Sequence, residues 1–245
     1  MQKIHFLTSF CLVALCLPSL SFAAKAHQKF SDEAWQKIAP IYEKIRQHPF
    51  NQELEKGTLD KKKFDFYASQ DTQFVEDYTK ALATLATKLD NPKSMDKILE
   101  FTRTALSEAT FEVKGDWLPQ KTRNPAPATL LYTNFTLATA AYKSREELAA
   151  ALLPCFWIYA HLGNEIAQKA ILPNPYEKWI HFYSNTNKER PLTEENIANG
   201  LIDITDQLAE KATPETRQKM LDAFVLASRM ELNFWDAAYK LENWQ

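Results

Sequence analysis

Apolar positions along the chain recur at steps of three and four, and no stretch alternates as a half-buried strand would. The pattern predicts an all-α chain. Ser31 is expected to cap a first helix that reaches about residue 47, where His48-Pro49-Phe50 breaks it. A second helix is expected over 59–89, with Asp60 as its cap and Asn91-Pro92 as its stop. A third fits 93–110, and Gly115, Pro119, Pro125 and Pro127 mark a loop before residue 128. Helices follow over 128–142 and 144–170, the latter opening on the capping box Ser144 and Glu147. Shorter helical segments fit 175–183 and 193–211, and Thr213-Pro214 starts a last helix to about residue 243. No repeat and no linker divides the chain, so a single domain is expected.

Two of these helices carry an acid where the period calls for an apolar residue. Phe64, Tyr67, Asp71, Phe74 and Tyr78 share one face of the second helix. Met220, Phe224, Ala227, Glu231, Phe234 and Ala238 share one face of the last. A carboxylate on a buried aromatic stripe costs several kcal/mol unless it is hydrogen-bonded, protonated or matched by a ligand. One such acid reads as a structural tie to a core Tyr or Trp; two of them, with a single cysteine nearby in the pattern, read as a site.

That cysteine stands out once the N-terminus is considered. Residues 1–23 have Lys3 in front, an apolar run too short for the roughly 20 residues of a spanning helix, and a small-x-small end at Ser21-Phe22-Ala23. This is the pattern of a secretory leader cleaved near Ala23, and it places the mature chain in the periplasm or outside the cell. Cys11 and Cys16 leave with the leader, so Cys155 is the one thiol remaining and no internal disulfide forms. Pro154, just before it, is expected to kink the helix, free the carbonyl of Ala150 and aim Cys155. His161 is six residues on, about 240° around the helix, so it forms no local pair with the thiol and reads as a surface partner of Glu165.

Composition removes several classes of function. A net charge of −2 gives no electrostatic footprint for nucleic acid, and Lys61-Lys62-Lys63 reads as a solvated first turn. Only four glycines occur, which disfavours phosphate-cradling loops and dinucleotide fingerprints. No histidine follows a glutamate by three residues, so a di-metal bundle site is poorly supplied and no metal or cofactor is expected. Nothing after the leader suggests a membrane partner.

The blocks HPFNQELEKGTLDKKKFDFYASQD, ALLPCFWIY, NPYEKWIHFY and MELNFWDAAY, in this order, resemble the cysteine-containing branch of the TenA (thiaminase II) family. The resemblance covers nearly the whole mature chain. It implies a heme-oxygenase-like helical bundle, a homotetramer, and hydrolysis of the bond between a pyrimidine methylene and a nitrogen leaving group. The substrate would be thiamin or an aminomethylpyrimidine derived from it, and the product 4-amino-5-hydroxymethyl-2-methylpyrimidine. Carried over by position, Cys155 matches the nucleophile and Glu231 the acid that moves protons at the ring. Asp71 matches the acid that holds the amino edge of the pyrimidine, Tyr132 and Tyr183 match tyrosines around the thiol, and Phe234 matches a ring that stacks on the substrate. Phe74 departs from the tyrosine of many members, which keeps a ring face and drops a hydroxyl. Residues 107–117 lack a histidine that the resemblance leads one to expect, and the leader is a further departure, since members are mostly cytosolic. Competing readings are a pyrimidine-binding or scavenging protein with little turnover, and a structural or oxygen-chemistry relative of the same bundle.

Overall fold

The computed structural model describes residues 28–109, 124–185 and 192–245. The expected leader and residues 110–123 lie outside the described residues. Among the described residues every regular element is a helix: α1 (Phe30–Arg46), α2 (Pro49–Lys56), α3 (Lys61–Lys88), α4 (Pro92–Ala109), α5 (Pro127–Tyr142), α6 (Arg145–Lys169), α7 (Glu177–Tyr183), α8 (Glu194–Lys211) and α9 (Pro214–Lys240).

Most boundaries follow from the caps anticipated above. Asp60 accepts the Lys62 amide at 2.8 Å, Ser144 accepts that of Glu147 at 3.2 Å, and Thr213 accepts that of Thr216 at 3.2 Å. Thr193 and Asn196 form a reciprocal capping box at the start of α8.

Two local expectations change. Ser31 is not the cap of α1, which begins at Phe30 after Lys29 with no side-chain cap of its own. The acceptor comes instead from α8. Asp206 takes the Ser31 amide on Oδ1 and the Ser31 hydroxyl on Oδ2, both at 2.8 Å. Arg217 strengthens the same end, donating to Glu33 and to the Gln28 carbonyl, each at 2.9 Å. Second, His48-Pro49 ends one helix and starts another. Pro49 occupies the first turn of α2, where a missing N–H is no loss, while His48 Nδ1 accepts the Phe50 amide at 3.2 Å. Gly57 closes α2 at φ 71°, a left-handed conformation that a side chain would strain. α6 is continuous through Pro154. The carbonyl beside the proline that draws a donor from outside the helix is that of Leu152, which accepts the Tyr78 hydroxyl at 2.6 Å.

α3 lies at the centre, packed against α4, α5, α6 and α9, while α6 packs against α9, α8 and α7. The two acid-bearing stripes therefore face a common interior. One glycine controls how the last wall is brought in. A Cβ on Gly163 of α6 would stand 2.1 Å from the carbonyl oxygen of Tyr183 at the end of α7. Only a bare Cα lets α7 approach that closely.

Gly163→Ala should therefore destabilise the protein by about 1–3 kcal/mol, the usual cost of overpacking. Thermal unfolding measures it, and a melting temperature equal to wild type would show that the α6–α7 approach is not rigid.

Candidate active site

Asp71 on α3 is 6% exposed and Glu231 on α9 is 2% exposed. Their stripes converge on a pocket to which α6 adds Cys155, Phe156 and Tyr159, α5 adds Tyr132, α7 adds Tyr183 and α8 adds Glu194. The walls leave about 470 Å³ between protein atoms, the open mouth included. All seven residues singled out from the sequence line this one pocket: Cys155, Glu231, Asp71, Phe74, Tyr132, Tyr183 and Phe234.

The polar contacts divide the pocket. Tyr132 donates its hydroxyl to Glu231 Oε1 at 2.8 Å, and Tyr183 points its hydroxyl at Asp71 Oδ2 at 3.5 Å. Behind Asp71, Tyr67 donates to the Tyr159 hydroxyl at 2.9 Å. Tyr78 donates its hydroxyl proton to the Leu152 carbonyl at 2.6 Å and lies beside the half-buried thiol of Cys155. The apolar wall is continuous. Phe74 lies 4.5 Å from Tyr132 and 6.1 Å from Phe234, centroid to centroid. A ring sandwiched between Phe74 and Phe234 would need about 7 Å, twice a carbon–carbon contact, so these two rings, inclined at 53°, line one side of the pocket together.

Glu231 is electrostatically displaced. Burial raises its pKa to about 8, with the Asp71 charge pushing the same way and the Tyr132 hydrogen bond pulling against both. At neutral pH the carboxyl therefore holds a proton. Tyr132 engages Oε1, so that proton belongs on Oε2. The phenols of Tyr78, Tyr132 and Tyr159 are all raised, first by burial and then by the surrounding negative charge, so each stays a donor.

The pocket contains residues that the sequence reading did not assign. Tyr78 sits on the same stripe as Asp71, two turns on, and Tyr159 lies one turn beyond Cys155. Helical spacing alone reaches both. Glu194 had no such signal, since an acid in a first turn normally reads as a partner of the helix dipole. Glu165 still acts on His161 through its charge, but it accepts the Tyr42 hydroxyl at 2.7 Å, and the His161 ring lies 4.4 Å from that of Trp35. Among the described residues no three His, Cys, Asp or Glu side chains converge as metal ligands would.

Comparison with known proteins agrees with this architecture. The TENA/THI-4/PQQC family matches residues 35–241. The chain belongs to that family. An aminopyrimidine aminohydrolase from Halalkalibacterium halodurans is 29% identical to this TENA/THI-4/PQQC member over 229 residues, 88% of this chain and 97% of that protein. A protein of the same name from Bacillus subtilis is 29% identical over 224 residues, covering 88% and 92%. The solved TenA homologue from P. horikoshii OT3 superposes with a TM-score of 0.73 at 29% identity, over 87% of this chain and 99% of that one. A TenA homologue from Pyrococcus furiosus gives 0.76 at 21% identity, over 85% and 99%, and so speaks for the fold alone. The family member described here has the helical heme-oxygenase-like fold that its sequence suggested.

The proton on Glu231 has a measurable consequence for this family member. Its folded pKa of about 8 lies above its ordinary value of 4.5, so the folded chain holds a proton there that the unfolded chain has released. Stability should fall as pH rises from about 4.5 to about 8, by up to about 1.4 kcal/mol per pH unit from this group, and level off above. Denaturant unfolding across that range should show this component in wild type and lack it in Glu231→Gln; identical pH profiles would mean that Glu231 is ionised throughout.

Proposed function

We propose that this chain is a hydrolase of thiamin salvage, cleaving the C–N bond between the methylene of an aminopyrimidine and its nitrogen leaving group. The single observation that carries the reading is the meeting of a thiol, a proton-holding acid and a second carboxylate in one aromatic-walled pocket. The similarity to proteins named aminopyrimidine aminohydrolase supports the substrate class.

In this reading Asp71 accepts from the amino edge of the pyrimidine, while Phe74 and Phe234 cover one face of the ring. The Cys155 thiolate adds to the ring carbon beside the one that bears the methylene, forming a C–S bond. A ring nitrogen takes the proton from Glu231 Oε2, and the displaced electron pair expels the amine from the methylene. Water then adds to the exocyclic methylene, giving up a proton to the Glu231 carboxylate. The ring nitrogen passes its proton to the released amine, the C–S bond breaks and the thiolate is restored. The net change is amine plus water giving alcohol plus released amine. Tyr132 holds Glu231 in register, and Tyr78, whose own proton goes to the Leu152 carbonyl, sits beside the sulfur. A scavenger that only binds would need neither the thiol nor the stored proton.

Cys155→Ser is nearly isosteric and should melt close to wild type, within about 1 kcal/mol, yet release no hydroxymethylpyrimidine. The assay is incubation with thiamin and separately with the aminomethylpyrimidine, identifying the pyrimidine released by mass spectrometry. A stable serine variant with full turnover would remove the mechanism.

We extend the proposal to location, on the leader-like residues 1–23. N-terminal sequencing of native protein should begin near Ala24; a cytosolic protein beginning at Met1 would overturn it.

A further inference from the structure

Glu194 is 3% exposed, although it opens α8 at a position where acids ordinarily stand in water. Its neighbour follows the ordinary pattern. Glu195 accepts from the Asn164 amide at 3.4 Å on the outer side of α6, while Glu194 turns into the pocket and lines it with Tyr78, Cys155 and Phe156.

The two ends of the pocket differ in which acid they feel. Asp71 faces Tyr183 and acts electrostatically on the phenols of Tyr67 and Tyr159. Glu194 acts on the phenol of Tyr78, together with Cys155 and Glu231. The Tyr78 hydroxyl rests on α6 at Leu152, three residues before Cys155, so Glu194 and the thiol both neighbour that phenol, while Asp71 neighbours Tyr183.

Chemistry then gives the Tyr78 end a role. Addition of sulfur can expel a group from the methylene only if it occurs at the adjacent ring carbon, so the leaving group must lie on the thiol's side of the ring. A primary amine at that methylene is an ammonium at neutral pH, with three N–H donors and one positive charge. A buried carboxylate at the same end matches it in charge and in hydrogen bonding. We propose that Glu194 is a specificity-determining residue that receives the cationic amine leaving group and selects aminomethyl over uncharged substituents. The proposal rests on the hydrolase reading above.

Binding separates the two ideas. In a Cys155→Ser background, which prevents turnover, calorimetry would compare 4-amino-5-aminomethyl-2-methylpyrimidine with its uncharged 5-hydroxymethyl counterpart. Adding Glu194→Gln should weaken the aminomethyl ligand by about 10- to 100-fold, the worth of a charge-assisted hydrogen bond, and leave the hydroxymethyl ligand nearly unchanged. Glu194→Asp should recover part of the loss. Equal weakening of both ligands, or no weakening of either, would overturn the assignment while leaving the hydrolase intact. If neither pyrimidine bound the parent variant, the hydrolase reading itself would fail and take this assignment with it.

Discussion

A carboxyl group removed from water among aromatic rings has few stable states, and Glu231 shows which one this fold imposes. Its surroundings contain a phenol donor and a second acid, so the side chain keeps its proton to about pH 8. Everything around it serves that arrangement. α3 must bring Asp71 close enough to oppose ionisation, α5 must supply Tyr132, and α6 must bring sulfur into the same space. A bundle with an ordinary apolar interior would have no reason to hold these elements in this register.

The aromatic residues make the register specific. Tyr67 links α3 to Tyr159 of α6 through their hydroxyls, and the Tyr159 ring stacks on Trp235 of α9 at 5.0 Å. Tyr78 ties α3 to the α6 backbone next to Pro154. Three helices that carry the polar groups are thus joined by rings whose hydroxyls have defined partners. Such contacts fix rotation about each helix axis better than aliphatic packing does, since an aliphatic side chain accepts several rotations at similar energy.

Much of this was legible because a helix converts spacing into geometry. Asp71 and Glu231 announced themselves as breaks in otherwise apolar stripes, and Cys155 as the thiol left once the leader is set aside. Tyr132 and Tyr183 were accessible only through resemblance. α5 buries mainly threonines beside Tyr132, so its inward face carries little contrast, and α7 is too short for a period to show. Glu194 was illegible for a different reason. Glu194 and Glu195 are identical side chains in succession, and which turns inward depends on how α8 lies on α6. The start of α2 was hidden because the same proline that ends one helix is well suited to begin the next. The capping of α1 was hidden because its acceptor, Asp206, is 175 positions away in the chain.

That distant cap bears on how the protein could mature. The amide and hydroxyl of Ser31, the carboxylate of Glu33 and the carbonyl of Gln28 are all held by side chains from α8 and α9. Each of these residues follows the proposed scissile bond near Ala23. Peptidase processing at that bond would leave every one of these tethers untouched. The start of α1 is thus secured by the C-terminal half of the chain, and its anchoring would be completed only after α8 and α9 had been made.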